Sequence, residues 1–169
     1  MSEEARRRRR ISYRRVEDSD HDLILRLYSS TRQEEMALLN WSRDEKTAFL
    51  RMQLEAQLRD YATRFPGSHH DLIVMNDAAA GRFYIDSSDQ TIRILDITIL
   101  PEYLRTGIGT MVLSDLLIEA GLSHRSILIY VDNDSPSLTL FSRLGFRKIG
   151  ESGVSCLLEW RFLSQGGPP

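Results

Sequence analysis

The stretch TIRILDITILPEYLRTGIGTMVLSDLL, residues 91–117, constrains this chain most. Residues 91–100 form its longest strand candidate, rich in Ile and Leu. Two glycines, Gly107 and Gly109, follow one residue apart. The run from Gly107 to Glu119 then carries Ile108, Met111, Val112 and Leu116 on a helical period, closed by Ala120-Gly121. The first N–H groups of a helix lack intrahelical partners, and the helix dipole adds partial positive charge. Glycine lets the backbone approach a bulky oxyanion with no Cβ in the way. LRTGIGT therefore reads either as an anion site fit for a pyrophosphate, with Arg105 at its rim, or as a plain tight turn. No lysine follows Gly109, so it is not a P-loop, and a dinucleotide site needs a third spaced glycine.

The other elements arrange themselves around this junction. ISYRRV (11–16) is a short edge strand. Asp18 and Asp20 are cap candidates for a helix with Leu23, Leu27 and Tyr28 on one face, and TRQEEMALL suggests a second helical piece. Ser42 and Glu45 form a capping-box pattern. It opens a long amphipathic helix with Phe49, Met52, Ala56 and Arg59 on one period, Leu50, Leu54, Leu58 and Tyr61 close by, and Pro66-Gly67 at its end. Strands at 71–77 and 81–87 are linked by AAA, with Gly81 favouring a tight connection. SILIYV (126–131) is a fifth strand. SPSLTLFSRLGF gives a short helix with Ser135 near its cap and Pro136 in its first turn, and two closing strands pair with each other. The order β-αα-β-β-β-α-β-α-β-β predicts an α/β domain, a mixed central sheet covered by helices on both faces.

Composition narrows the function. The 169 residues carry 22 Lys and Arg against 24 Asp and Glu, a net charge of −2, so nucleic acid is not an expected partner. The arginine run Arg6–Arg10 falls in a leader, residues 1–10, read as disordered, with a basic arm as the alternative. Residues 11–163 form the domain and 164–169 a flexible tail. Cys156, the one cysteine, excludes an internal disulfide and reads as buried filler. No apolar run approaches the length of a membrane span. A cytoplasmic protein without membrane or metal is expected, and a homodimer stays open.

From Asp96 to Ser114 the chain resembles motif A of the GNAT acetyltransferase superfamily, matching at Pro101, Glu102, Gly107 and Gly109. From Ile127 to Phe146 it resembles motif B, at Leu140, Leu144, Gly145 and Phe146. The resemblance spans roughly residues 11–162, to a small single-domain member of bacterial type. It implies the GNAT fold, with the sheet splayed between the fourth and fifth strands. It implies acetyl-CoA as co-substrate, its pyrophosphate on the N–H groups of Arg105, Thr106, Gly107, Ile108, Gly109 and Thr110. Its pantetheine would lie against Ile99 and Leu100, with Ser135, Ser137 and Phe141 at the motif B positions beside it. Two positions depart from the family pattern. Leu104 replaces a Gln or Arg, and Phe141 replaces a tyrosine that in many members protonates the CoA thiolate.

The implied reaction is direct transfer of acetyl to a primary amine. A backbone N–H near Ile99 would polarise the thioester carbonyl. Asp96, an acid within an apolar strand, is the candidate proton acceptor; equally, it pairs with an arginine such as Arg82 or Arg93. Asp132 and Glu159 are weaker candidates. Tyr130 is the candidate acid for the thiolate, with Tyr103, Ser135 and Ser137 nearby in the motifs. His69 and His70 either line an acceptor cleft or form a surface-loop pair, and Trp41, Phe49 and Met52 read as core. The acceptor is a small-molecule amine or a peptide or protein amine. Acids in VEDSDHD, with Glu34 and Glu35, suit a cationic amine, or simply helix N-termini. The alternative function is a non-catalytic GNAT-like domain that binds CoA, a metabolite or a protein.

Overall fold

The computed structural model describes residues 11–162; the leader 1–10 and the tail 164–169 lie outside them. The strands are β1 (Ile11–Arg15), β2 (His69–Met75), β3 (Ala78–Ser87), β4 (Thr91–Ile99), β5 (Ser126–Asp132), β6 (Arg147–Ser152) and β7 (Ser155–Trp160). The helices are α1 (His21–Ser30), α2 (Gln33–Ala37), α3 (Arg43–Arg64), α4 (Ile108–Leu122) and α5 (Leu138–Arg143). The seven strands form one sheet in the order β1-β2-β3-β4-β5-β7-β6. The chain divides into two compact units. One runs up to Tyr84 and includes Asp96–Ile108; the other holds Ile85–Leu95 and the chain from Gly109 onward.

In the first unit the apolar face of α1, Ile24, Leu25, Leu27 and Tyr28, packs with Leu50 and Leu54 of α3, Leu72 of β2 and Leu100. The capping box forms as the sequence predicts: Glu45 N–H donates to Ser42 Oγ at 3.2 Å, and Ser42 N–H to the Glu45 carboxylate at 2.7 Å. The buried face of α3 is not the one expected. Leu50 and Leu54 are buried, whereas Met52 is 56% and Trp41 42% exposed. Of the two adjacent apolar stripes, the continuous leucine stripe has the larger area to bury. Asp20 accepts from both Nη atoms of Arg14 at 2.7 Å and from Glu17 N–H at 2.8 Å, tying β1 to the start of α1.

The link between β2 and β3 also differs. Asn76 and Asp77, both at positive φ (50° and 66°), make the turn, and the alanines belong to β3. Gly81 therefore lies within a strand. A Cβ on it would sit 2.4 Å from the Thr98 carbonyl oxygen and 2.9 Å from Ile99 Cδ1. Its purpose is close backbone approach between β3 and β4. Ser88 N–H reaches Thr91 O at one end and Leu100 N–H reaches Ala80 O at the other, which makes this pair antiparallel.

In the second unit β4 and β5 run parallel, from Thr91 opposite Ser126 to Ile94 opposite Ile129. Both strands continue past that ladder, β4 to Ile99 and β5 to Asp132, as the expected splay requires. β5 pairs with β7, and β7 with β6. Helix α4 runs through Gly121 to Leu122. His124 at φ 55° follows it, with Arg125 N–H on Ala120 O and His124 N–H on Gly121 O. This Schellman closure makes His124, not Gly121, the left-handed residue. Cys156 is buried, its thiol against the Val131 carbonyl.

Helix α5 begins at Leu138 with Ser137 as its cap, later than expected; Ser135 lies in the preceding turn, where its carbonyl takes Leu138 N–H. It ends in a second Schellman motif. Phe146 N–H bonds Phe141 O, Gly145 N–H bonds Ser142 O, and Gly145 sits at φ 92°. The hydrophobic contact that accompanies such a closure is Phe141 on Phe146, edge to face at 5.1 Å.

Gly81→Ala is expected to lose about 3 kcal/mol of unfolding free energy, because the clash is with backbone that cannot rotate away. Gly145→Ala is expected to lose about 1–2 kcal/mol, the cost of a left-handed Cβ, since its nearest neighbour would be Trp160 Cδ1 at 3.6 Å. Urea melts of both variants test that ranking. Equal losses would contradict the backbone-approach account of Gly81.

Candidate functional site

The junction that opens the sequence is built by a chain of short bonds. Leu100 N–H on Ala80 O, 2.8 Å, fixes the end of β4. A turn at Pro101–Tyr103 follows, and Tyr103 O accepts the Thr106 hydroxyl at 2.6 Å. Arg105 at φ 61° and Gly107 at φ 90° then bend the chain into α4. A non-glycine residue held left-handed is costly, as expected where a loop is over-determined. At Gly109 a Cβ would meet only Leu140 Cδ2, at an ordinary 3.6 Å. The protein's own packing does not demand glycine there. Arg105 and Leu104 are exposed, Leu104 at 57%. Arg143 of α5 donates to Thr110 Oγ1 at 3.3 Å, placing a second cation beside the first turn of α4. The sequence reading missed Arg143, whose only signal is its place in the LFSRLGF helix.

Successive N–H groups of a strand point to opposite edges. Since Leu100 N–H faces β3, Ile99 N–H faces the other edge, where the ladder with β5 has ended at Ile94. Leu100 and Ile108 are each 1% exposed, so their backbones, not their side chains, can meet a ligand.

A polar cluster sits under α3. Arg82 is 1% exposed, and its Nη2 donates to Asp96 Oδ2 at 2.5 Å and to Gln57 Oε1 at 3.0 Å. The Thr98 hydroxyl donates to Asp96 Oδ1 at 2.7 Å. Of the two readings of Asp96, the arginine pair is present. Arg82 Nε and Nη1 have no hydrogen-bond partner among the described residues. Tyr84 stacks flat on His70 at 4.4 Å, and Tyr61 meets Tyr84 edge-on at 5.2 Å. His69 and His70 thus open strand β2 rather than a surface loop. Burial, aided by the Arg82 charge, pushes the His70 pKa down to about 4. Burial, with the nearby Asp96 charge, raises the Tyr61 hydroxyl to about 12. Of the acids of VEDSDHD, Glu17 and Asp20 form a capping box at the entry to α1. Asp20 is bound to Arg14, which with the Glu17 N–H lowers it to about 2.

In the second unit Tyr130 lies half exposed on β5, on the face opposite the buried Ile129 and Val131. Ser135 and Ser137 bond each other at 2.8 Å. Phe141 is 2% exposed, a core side chain rather than one that meets a ligand. Asp132 accepts from Ser155, and Glu159 from Arg161. Glu159 and Arg161 line a polar cavity of about 660 Å³ with Arg125 and His124. Among the described residues no cluster of three or more His, Cys, Asp and Glu could hold a metal, and no helix is long and apolar enough to cross a membrane.

Residues 33–146 match the profile of the Acetyltransferase (GNAT) family. No curated protein matches the chain. Among solved structures it is similar to a PaiA N-acetyltransferase from Thermoplasma acidophilum in complex with coenzyme A. The TM-score is 0.66 at 14% identity, covering 90% of this chain and 99% of that one. It is also similar to the ribosomal-protein-S18-alanine N-acetyltransferase of Escherichia coli (TM-score 0.63, 13% identity, 93% and 97% covered). A putative phosphinothricin N-acetyltransferase gives a TM-score of 0.63 at 17% identity, with 92% and 100% covered. At these identities the likeness is one of fold.

Two outcomes are expected from the polar cluster. Arg82→Met or Asp96→Leu alone should each cost about 3–5 kcal/mol, because each strands a buried charge, while the double change should cost far less. Additive losses in a denaturant cycle would show that the pair is not coupled. His70 has a folded pKa below its unfolded value of about 6.5. The unfolded chain therefore binds more protons between those values. The His70 contribution to stability is complete above pH 6.5 and falls as pH drops toward 4. His70→Phe should flatten the melting temperature over that window, and an unchanged slope would exclude His70 as its source.

Proposed function

The chain belongs to the GNAT acetyltransferase family, and on that premise we propose that it is an acetyl-CoA-dependent N-acetyltransferase acting on a primary amine. The observation that carries this reading is the bent entry into α4. Arg105 and Gly107 are left-handed, and Gly109 is not required by internal packing. The N–H groups of Gly107 to Thr110 would hold the pyrophosphate, with Arg105 in the same turn as a neighbouring charge. The Ile99 N–H is aimed at the edge where a thioester carbonyl would be polarised. In the transfer the acceptor nitrogen bonds the acetyl carbon and the carbon–sulfur bond breaks. The nitrogen gives up its proton, and the CoA thiolate takes one.

The side chains contribute less than the motif suggests. Asp96 has one carboxylate oxygen on Arg82 and the other on the Thr98 hydroxyl, so neither oxygen is free of a protein donor. Phe141 packs on Phe146 and has no part in thiolate departure. Tyr130 is the exposed hydroxyl that fits the acid role. The engagement of Asp96 by Arg82 and Thr98 is the reason to keep a second reading, a CoA-binding domain without catalysis. A cytoplasmic setting fits both.

Acetyl-CoA should raise the melting temperature through linkage, and Gly107→Val should abolish that rise by straining a left-handed position. No binding at millimolar acetyl-CoA by calorimetry would sink both readings. Phe141→Tyr should leave turnover unchanged and cost about 1–3 kcal/mol of stability, because it buries a hydroxyl in a packed contact. A faster Phe141→Tyr enzyme would restore position 141 to the chemistry. Thiol release in an amine screen separates enzyme from binding domain.

A further inference from the structure

Among the described residues three arginines stand over aromatic rings. Arg32 lies 3.6 Å from the Tyr28 ring centroid, Arg64 5.3 Å from that of Phe65, and Arg82 6.0 Å from that of Tyr28. Two of them have carboxylate partners: Arg64 with Asp60 and Arg82 with Asp96. Arg32 has none within ion-pair distance, although Glu34 and Glu35 follow it closely in sequence. Its Nη1 is anchored on the Tyr28 carbonyl at 3.3 Å and on Thr31 Oγ1 at 2.8 Å. Stacking fixes the plane of the guanidinium, one nitrogen is tethered, and the edge formed by Nη2 and Nε has no acceptor among the described residues. A half-buried guanidinium held this way is pre-organised for a planar anion with two oxygens.

Its surroundings connect it to β4. Tyr28 is shared between Arg32 and Arg82, and Arg82 holds Asp96. The Tyr61 hydroxyl, raised chiefly by burial, is raised further by the Asp96 and Asp60 charges and lowered by those of Arg82 and Arg32; Asp60 is itself paired with Arg64. Within this cluster Arg82 and Asp96 cancel, and His70 is neutral at pH 7, its pKa about 4. The remaining charge is that of Arg32. Of the acids that suggested a cationic acceptor, Asp20 is engaged with Arg14, and Arg32 brings a positive charge to this cluster. We propose that Arg32 binds a carboxylate of the acceptor, so that the substrate class is a small amine that also carries a carboxylate, an amino acid in the simplest case. This rests on the acetyltransferase reading above.

The test compares acceptors that differ only in that group, with thiol release as readout: lysine against cadaverine, and phenylalanine against phenethylamine. The acids should be preferred in kcat/KM by at least roughly tenfold, the strength of one charge-assisted hydrogen bond or more. Arg32→Met should raise KM for the acids by roughly 10–100-fold and leave kcat, the acetyl-CoA KM and the decarboxylated amines unchanged. Arg32→Lys should recover only part of the loss, since it lacks the fork. Equal rates within each pair, or a uniform loss in Arg32→Met, would overturn the assignment while leaving the acetyltransferase reading intact. If neither series turns over, the acetyltransferase reading fails. Calorimetry of the same amino acids with the CoA-loaded protein then still reads Arg32. Binding lost in Arg32→Met supports the carboxylate site, and no binding to the wild type overturns it.

Discussion

A guanidinium cannot shed its charge, and Arg82 is buried almost completely. Every group around it is arranged on that condition. Asp96 on β4 supplies the counter-charge at 2.5 Å, and Gln57 on α3 supplies a neutral acceptor at 3.0 Å. Thr98 holds the second carboxylate oxygen at 2.7 Å. One residue of β3 thereby fixes the adjacent strand and the long helix above it. The same condition sets the electrostatics of its neighbours: it helps to keep His70 neutral. A buried ion pair of this kind adds little net stability over apolar packing, but it is costly to break one partner at a time.

Two of the three motif glycines act through handedness. Gly107 and Gly145 both sit at positive φ, one entering a helix and one leaving it. Gly145 closes α5 by joining Phe146 to Phe141, which accounts physically for the spacing of LFSRLGF. Phe141 serves that closure with its ring. His124 performs the same closure for α4 without glycine, at the conformational cost of a left-handed Cβ. Gly81 differs from all of these. It allows β3 and β4 to approach, next to the strand end where Ile99 turns its N–H outward.

These features favour chemistry carried by backbone rather than by side chains. The N–H groups at the start of α4 and at Ile99 are set by hydrogen bonds and sterics, so they are indifferent to the changes at Leu104 and Phe141. Electrostatic stabilisation by preorganised dipoles is commonly the largest contribution in acyl transfer. Selection of the acceptor would then fall to side chains, and Arg32, oriented by Tyr28 and Thr31, is the one proposed for it.

The sequence by itself determined what depends on neighbours in the chain. The Ser42–Glu45 capping box, the strand-to-helix junction at Gly107, the closing hairpin and the order of elements all follow from local hydrogen bonding and periodicity. It also carried the family through two short motifs. Tertiary structure decided what depends on distant pairs. Asp96 meets Arg82 across 14 positions, and Arg82 meets Gln57 across 25; no local pattern distinguishes such a carboxylate from a catalytic one. The choice of the leucine stripe on α3, the move of Gly81 from turn to strand interior, and the burial of Phe141 are of the same kind. Each depends on which surface arrives opposite, and that is fixed only once the strands and helices have packed.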